Sequence, residues 1–162
     1  MNAAPAADWV VRGARLLGER RCMDIAIRGR RIVEVGPAAT IGGRQELDAG
    51  GRLILPGFVD AHMHLDKAFA LAEAEAQPGA TLDEAIAAFQ RWRSQLTPAA
   101  LYANARRAAE RALLHGSIAL RTHITVDTTS GLSWLEPLLR LKADLAGRQT
   151  IQIVAFPDSQ EI

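Results

Sequence analysis

His62 and His64 are separated by one residue, and two carboxylates, Asp60 and Asp66, and the amine of Lys67 stand beside them. A neutral imidazole nitrogen suits zinc, iron and similar divalent ions, and side chains two apart on a β-strand share a face. If the pair closes a strand, both rings converge on one ion while Ala61 and Met63 face the other way. That is chelating geometry, of the kind that in catalytic sites leaves one position for water. A bare His-x-His is equally compatible with polar surface or capping groups, so the pair alone does not decide. Strict alternation puts Asp60 on the face of His62, where it either orients a ligand or bonds backbone in a turn. Asp66 and Lys67 follow on a loop, either positioning substrate or standing as solvated charges.

The element that must carry these residues is a short strand, Phe58 to His62, which starts just after Pro56-Gly57, a turn dipeptide that marks a boundary. Upstream, Trp9 to Leu17, Met23 to Arg28 and Arg31 to Gly36 alternate apolar residues and are punctuated by Gly13, Gly18, Gly29 and Gly36. Gln45 to Asp48 and Arg52 to Leu55 add strand, so residues 1–55 read as an antiparallel β module. Downstream, Thr81 with Glu84 forms a capping box that opens a helix over Leu82 to Gln95. Thr97-Pro98 opens a second helix, closed by Gly116 after His115. Ile118 to His123 is the next strand, and Thr125 to Gly131 reads as loop. Ser133 with Glu136 repeats the capping box ahead of a helix through Leu145, and Thr150 to Phe156 is a buried-type strand. The order β, α, α, β, α, β over residues 56–162 predicts crossovers and a parallel sheet.

Composition narrows the function classes. The 162 residues carry 19 Lys plus Arg against 18 Asp plus Glu, a formal charge of +1, which gives no basic surplus for a nucleic-acid partner. A hydrophobic share of 49% supports a packed core. Cys22 is the only cysteine, so an internal disulfide framework and a multi-cysteine zinc site are excluded, and a reducing, cytoplasmic setting is expected. The His-x-Glu with Pro-Cys-x-x-Cys signature of the zinc nucleoside deaminases is absent, as are phosphate-loop and dinucleotide fingerprints. No leader or membrane span is read, so the expected chain is unanchored. Trp92, Trp134 and Phe89 at helical spacing read as packing, and Arg91, Arg93, Arg106, Arg107 and Arg111 as wet helix faces.

The segment Leu53 to Ala68, LILPGFVDAHMHLDKA, resembles the amidohydrolase superfamily, whose members carry Pro-Gly, an apolar pair, Asp and His-x-His on the first strand of a (β/α)8 barrel. HMHLDKAF is similar to the cytosine deaminase branch. Leu120 to Val126 (LRTHITV) and Ile151 to Pro157 (IQIVAFP) resemble that branch's second and third barrel strands, so the likeness runs over residues 9–162.

The resemblance implies an α/β fold: the first three strands of a partial TIM-type barrel, preceded by the N-terminal β portion of a small composite sandwich, with domains at 1–55 and 56–162. It implies that His62 and His64 hold a divalent metal, zinc or iron, whose bound water becomes a hydroxide that attacks an amidine-like ring carbon and releases ammonia. The substrate is then a small N-heterocycle, cytosine or a related ring. His123, Asp158 and Gln160 are the substrate-binding candidates. In the cytosine deaminase branch glutamine directly follows Phe-Pro; here Asp158 takes that slot, and Gln160 replaces it only if the loop shifts by two residues. Thr125 stands where many relatives carry aspartate after Arg-Thr-His. A full barrel takes about 250 residues, so three strands supply one sector of a site, with no catalytic base assignable. Three outcomes stay open: a deaminase of cytosine type, an amidohydrolase on another N-substituted heterocycle, and a catalytically inert fragment or subunit that pairs its exposed sheet edge with another chain.

Overall fold

Alternating apolar residues in the first part of the chain form five strands in the computed structural model, which describes residues 7–40, 42–73, 79, 81–126 and 131–157. These are β1 (Ala7–Leu16), β2 (Cys22–Arg28), β3 (Arg31–Gly36), β4 (Gly43–Asp48) and β5 (Leu53–Ile54). Ala7, Val10, Ala14, Ile25 and Ala26 are the buried positions of β1 and β2. The sheet order is β3-β2-β1-β4, with β5 also on β1. The expected antiparallel module is corrected: β1–β2 and β2–β3 are antiparallel, but β4 and β5 run parallel to β1. After β3 the chain does not continue the meander; it returns to the far edge of β1 and enters in that strand's own direction. Asp24 ties the arrangement together. Its carboxylate accepts hydrogen bonds from Gly13 N at 2.8 Å, Arg12 Nη1 at 2.9 Å and Ala39 N at 3.2 Å.

The chain divides into two compact units, Met1–Pro56 and Gly57–Ile162. In the second, β6 (Phe58–Met63), β7 (Ser117–Val126) and β8 (Thr150–Pro157) form a parallel sheet in the order β6-β7-β8. The turn into β6 requires glycine: a Cβ on Gly57 would lie 2.5 Å from Ile118 Cγ2. At the entry to β7, Gly116 has φ +91° and its carbonyl accepts from Phe58 N at 2.8 Å.

Between β6 and β7 come a 3-10 turn (Leu65–Lys67), a short helix α1 (Ala70–Glu73), and the longer helices α2 (Leu82–Gln95) and α3 (Pro98–Leu114). Thr81 and Glu84 form the expected capping box, with Thr81 N donating to Glu84 Oε2 at 2.7 Å and Glu84 N donating to Thr81 Oγ1 at 3.3 Å. The equivalent expectation at Ser133 and Glu136 is corrected. Helix α4 (Leu135–Asp144) is capped at Trp134, already in helical backbone, with no side-chain cap bond. Leu135 N donates to Leu132 O at 2.9 Å, so a backbone turn satisfies the helix entry and Ser133 lies inside that turn.

Leu101, Ala105 and Ala109 of α3 and Leu138 and Leu141 of α4 pack with Leu120, Ile124 and Ile151 of the sheet into one buried core. The other face of β7 carries Arg121 and His123, and there Arg121 Nε donates to Gln152 Oε1 at 2.7 Å. β7 also runs farther than expected. Thr125 and Val126 pair with Phe156 and Pro157, so these two are strand, not loop. The unit is a mixed α/β fold, and no helix among the described residues is long and apolar enough to cross a membrane.

Candidate metal centre

The pairing of β6 with β7 is irregular where it matters. Asp60 aligns with Leu120 and Met63 with Thr122, so Ala61 and His62 together oppose the single residue Arg121. This breaks strict alternation. Asp60 aligns with a core position, and its Oδ1 accepts from His62 N at 3.1 Å, so this carboxylate bonds backbone. Met63 packs against the core.

Beyond Met63 the chain leaves the sheet, and side chains take over from the ladder. Leu65 N donates to the hydroxyl of fully buried Thr122 at 2.9 Å. Asp66 Oδ2 accepts from Thr125 N at 2.9 Å, also in a buried setting. Arg93 of α2 donates from Nη2 to Thr125 O at 3.2 Å and lies over the Trp134 ring, so it is no wet-face arginine. Two sequence expectations therefore change. Asp66 is buried at 7% exposure, not a solvated loop charge, because its carboxylate replaces a missing strand carbonyl. Lys67 is half-buried, with its Nζ 5.1 Å from the centre of the Phe89 ring and 5.8 Å from that of Phe156.

These anchors bring three imidazoles together. The ring centres of His62 and His64 are 5.5 Å apart, those of His64 and His123 5.7 Å, and His62 stacks on His123 at 4.2 Å. Phe156 meets the His64 ring edge-on at 5.9 Å. Two imidazoles sharing one ion tetrahedrally, with metal–nitrogen bonds of about 2.1 Å, have ring centres roughly 5.3 Å apart. The His62–His64 spacing fits that figure, whereas the His62–His123 stack is too close for it. Burial foremost, then the Lys67 ammonium and the neighbouring imidazoles, lowers the His64 pKa against the opposing pull of Asp66. The neutral ring so favoured is the form that ligates.

Two of these rings also keep an unused polar atom. Among the described residues, Nδ1 of His64 and Nδ1 of His123 are buried without a hydrogen-bond partner, as is Thr125 Oγ1. The ligand set is nonetheless incomplete: among the described residues, no group of three or more His, Cys, Asp or Glu is placed to hold a metal ion. Asp158 and Gln160 lie outside the described residues. Thr122 and Arg93 were not singled out as site residues by sequence. A buried threonine in a strand carries no distinguishing pattern, and Arg93 is one of several arginines on its helix.

The model of the amidohydrolase family matches residues 45–136, more than half of the chain and all of the His-x-His segment. The chain belongs to the amidohydrolase family. The chain is 33% identical over 157 residues to N-isopropylammelide isopropyl amidohydrolase of Pseudomonas sp. (strain ADP), covering 94% of itself and 39% of that relative. It superposes on the crystal structure of N-isopropylammelide isopropylaminohydrolase from Burkholderia multivorans with a TM-score of 0.77 and 31% identity, over 93% of itself and 38% of that chain. The 5-methylcytosine deaminase of Klebsiella pneumoniae, liganded with 5-fluorocytosine, gives a TM-score of 0.78 and 29% identity over 91% of this chain and 36% of that one. The chain thus spans under half the length of these relatives.

Proposed function

We propose that residues 57–162 form the opening sector of a (β/α)8 amidohydrolase barrel, with residues 1–56 as the N-terminal share of a small sandwich. The site so begun hydrolyses a carbon–nitrogen bond of a small N-heterocycle. The observation that carries this reading is the pairing of His62 and His64 at the carboxyl end of β6, at a spacing suited to one shared divalent ion. In barrels of this kind functional groups gather at that end of the strands. When bound, the ion supplies Lewis acidity and a water nucleophile active near neutral pH. The chain's own residues do the rest: burial favours the neutral His64 ring, Thr122 and Asp66 fix the turn that follows it, and His123 on β7 faces the substrate. Asp158 and Gln160 are proposed as ring contacts on the segment after β8.

The relatives act on N-isopropylammelide and 5-methylcytosine, and Asp158 in the glutamine slot favours the N-substituted ring over cytosine itself. Turnover of a ring panel by a longer form carrying these residues, with and without chelator, is the test. Chelator-sensitive release of amine or ammonia, abolished by His62→Ala, is expected; metal-independent turnover refutes the reading. A second reading rests on the incomplete ligand set among the described residues: the 162-residue chain alone is catalytically inert and needs another segment or chain. Turnover by the purified monomer of this chain refutes it.

A further inference from the structure

Two of the buried polar atoms left over beside the imidazole cluster complement each other. Asp66 Oδ1 and His64 Nδ1 each have no hydrogen-bond partner among the described residues, and they lie 3.6 Å apart. The Asp66 side chain is 6% exposed and that of His64 26%. A buried carboxylate oxygen left unpaired is costly, and a slight ring rotation turns this approach into a charge-assisted bond with an Nδ1–H donor. The second carboxylate oxygen is already committed, since Oδ2 accepts from Thr125 N at 2.9 Å. Asp66 is therefore held by β7 and aimed at the ring of a residue on the β6 side.

We propose that Asp66 is the positioning residue of His64: its free oxygen accepts the Nδ1 proton and so leaves Nε2 as the nitrogen with the lone pair. An imidazole in water prefers the opposite tautomer, so the pairing presets the ring for ligation through Nε2 and fixes its orientation. The consequence for metal binding rests on the function proposed above; the tautomer itself does not.

Substituting Asp66→Asn separates this role from a purely structural one. The asparagine carbonyl still accepts from Thr125 N, so the turn stays closed, but the amide NH2 then faces Nδ1 and demands a bare nitrogen there. Long-range 1H–15N correlation spectra of the metal-free 162-residue chain, recorded above the histidine titration range, read which ring nitrogen carries the proton. The expected result is an Nδ1–H ring for His64 in the parent chain and an Nε2–H ring in Asp66→Asn, with the Thr125 amide still protected from exchange. An Nε2–H ring in the parent, or no reversal in the variant, overturns the proposal. Zinc titration adds a second readout: binding about ten- to a hundredfold weaker in Asp66→Asn is expected, and equal affinity overturns the proposal. If zinc binds neither protein while the tautomer reverses, the pairing stands and the metal reading of the site fails.

Discussion

Replacing Thr122 by valine removes one oxygen from a fully buried side chain and little else, and that oxygen is the acceptor for Leu65 N at 2.9 Å. Leu65 is 1% exposed, so no water is at hand to take over the bond. An orphaned buried N–H costs about 1–3 kcal/mol, and a central figure of about 2 kcal/mol corresponds to roughly a 30-fold change in a local opening equilibrium. The loss falls on the turn that carries His64, since Leu65 is its immediate neighbour. Amide hydrogen exchange reads it directly: Leu65 loses roughly 30-fold protection in Thr122→Val, beyond any change at the Leu120 and Ile124 amides. Thr122→Ser is the control. It keeps the acceptor but deletes a buried methyl, so it lowers global stability by about 1 kcal/mol while Leu65 stays protected relative to its neighbours. If Leu65 exchanges at the parental rate in Thr122→Val, or loses protection equally in the serine variant, the hydroxyl is not the anchor of this turn.

Three other outcomes follow from the packing and the charges. Gly57→Ala brings a Cβ to 2.5 Å from Ile118 Cγ2 and destabilises the unit by about 1–3 kcal/mol in urea unfolding; adding Ile118→Ala recovers part of the loss, and simple additivity of the two would contradict the clash. Hydrogen bonds from Gly13 N foremost, then from Arg12 and Ala39 N, hold the Asp24 pKa below the usual carboxylate range. A depressed folded-state pKa contributes stability that is complete above the unfolded value of about 4 and is lost as pH falls through the folded pKa. The gap in urea midpoint between parent and Asp24→Asn is therefore widest near neutrality and narrows below about pH 4; a gap that stays constant with pH refutes the assignment. Gln149 is buried and donates from Nε2 to Ser117 O at 2.7 Å and Ala109 O at 3.2 Å, so Gln149→Leu strips both carbonyls and costs about 1–3 kcal/mol, with Gln149→Glu no better at neutral pH.

Local patterns in the sequence predicted local structure well where a single interaction decides it. Thr81 and Glu84 sit three apart ahead of an amphipathic run, and the reciprocal capping bonds form there. Ser133 and Glu136 have the same spacing, yet α4 is capped one residue later, at Trp134, and a backbone turn from Leu132 to Leu135 makes its entry. The His-x-His pair was legible because both its residue types and its place at a strand end point to one chemistry. Asp60 and Asp66 were not separable by sequence. Which carboxylate supports the rings depends on the irregular pairing at Ala61 and His62 and on partners roughly sixty residues away in β7, and neither leaves a mark in local spacing. The parallel edge of the first sheet was missed for a similar reason: strand direction there is set by a return of the chain after β3, not by the strands' own alternation.

The site's geometry is set more by β7 than by the strand that bears its histidines. β6 stops pairing at Met63, and a chain leaving a sheet normally strands N–H and C=O groups that must find other partners. Here Thr122 supplies an oxygen to Leu65 N, Thr125 N finds its acceptor in Asp66, and Thr125 O is taken by Arg93. All three bonds involve β7, two of them through side chains of the turn or of α2, so the turn that follows His64 is pinned to a strand paired with β8 from Ala119 to Val126, while Met63 just before it still pairs with Thr122. His123 rises from that same strand, between Thr122 and Thr125, which explains how rings about sixty residues apart in sequence meet at 4.2 Å and 5.7 Å. Changes that leave the histidines untouched but loosen β7 against β8, such as Ile151→Ala in the shared core, should thus weaken zinc binding together with stability. Substitutions at exposed Val59 of β6 should do neither; a strong metal phenotype there, measured by zinc titration, would return control of the site to β6.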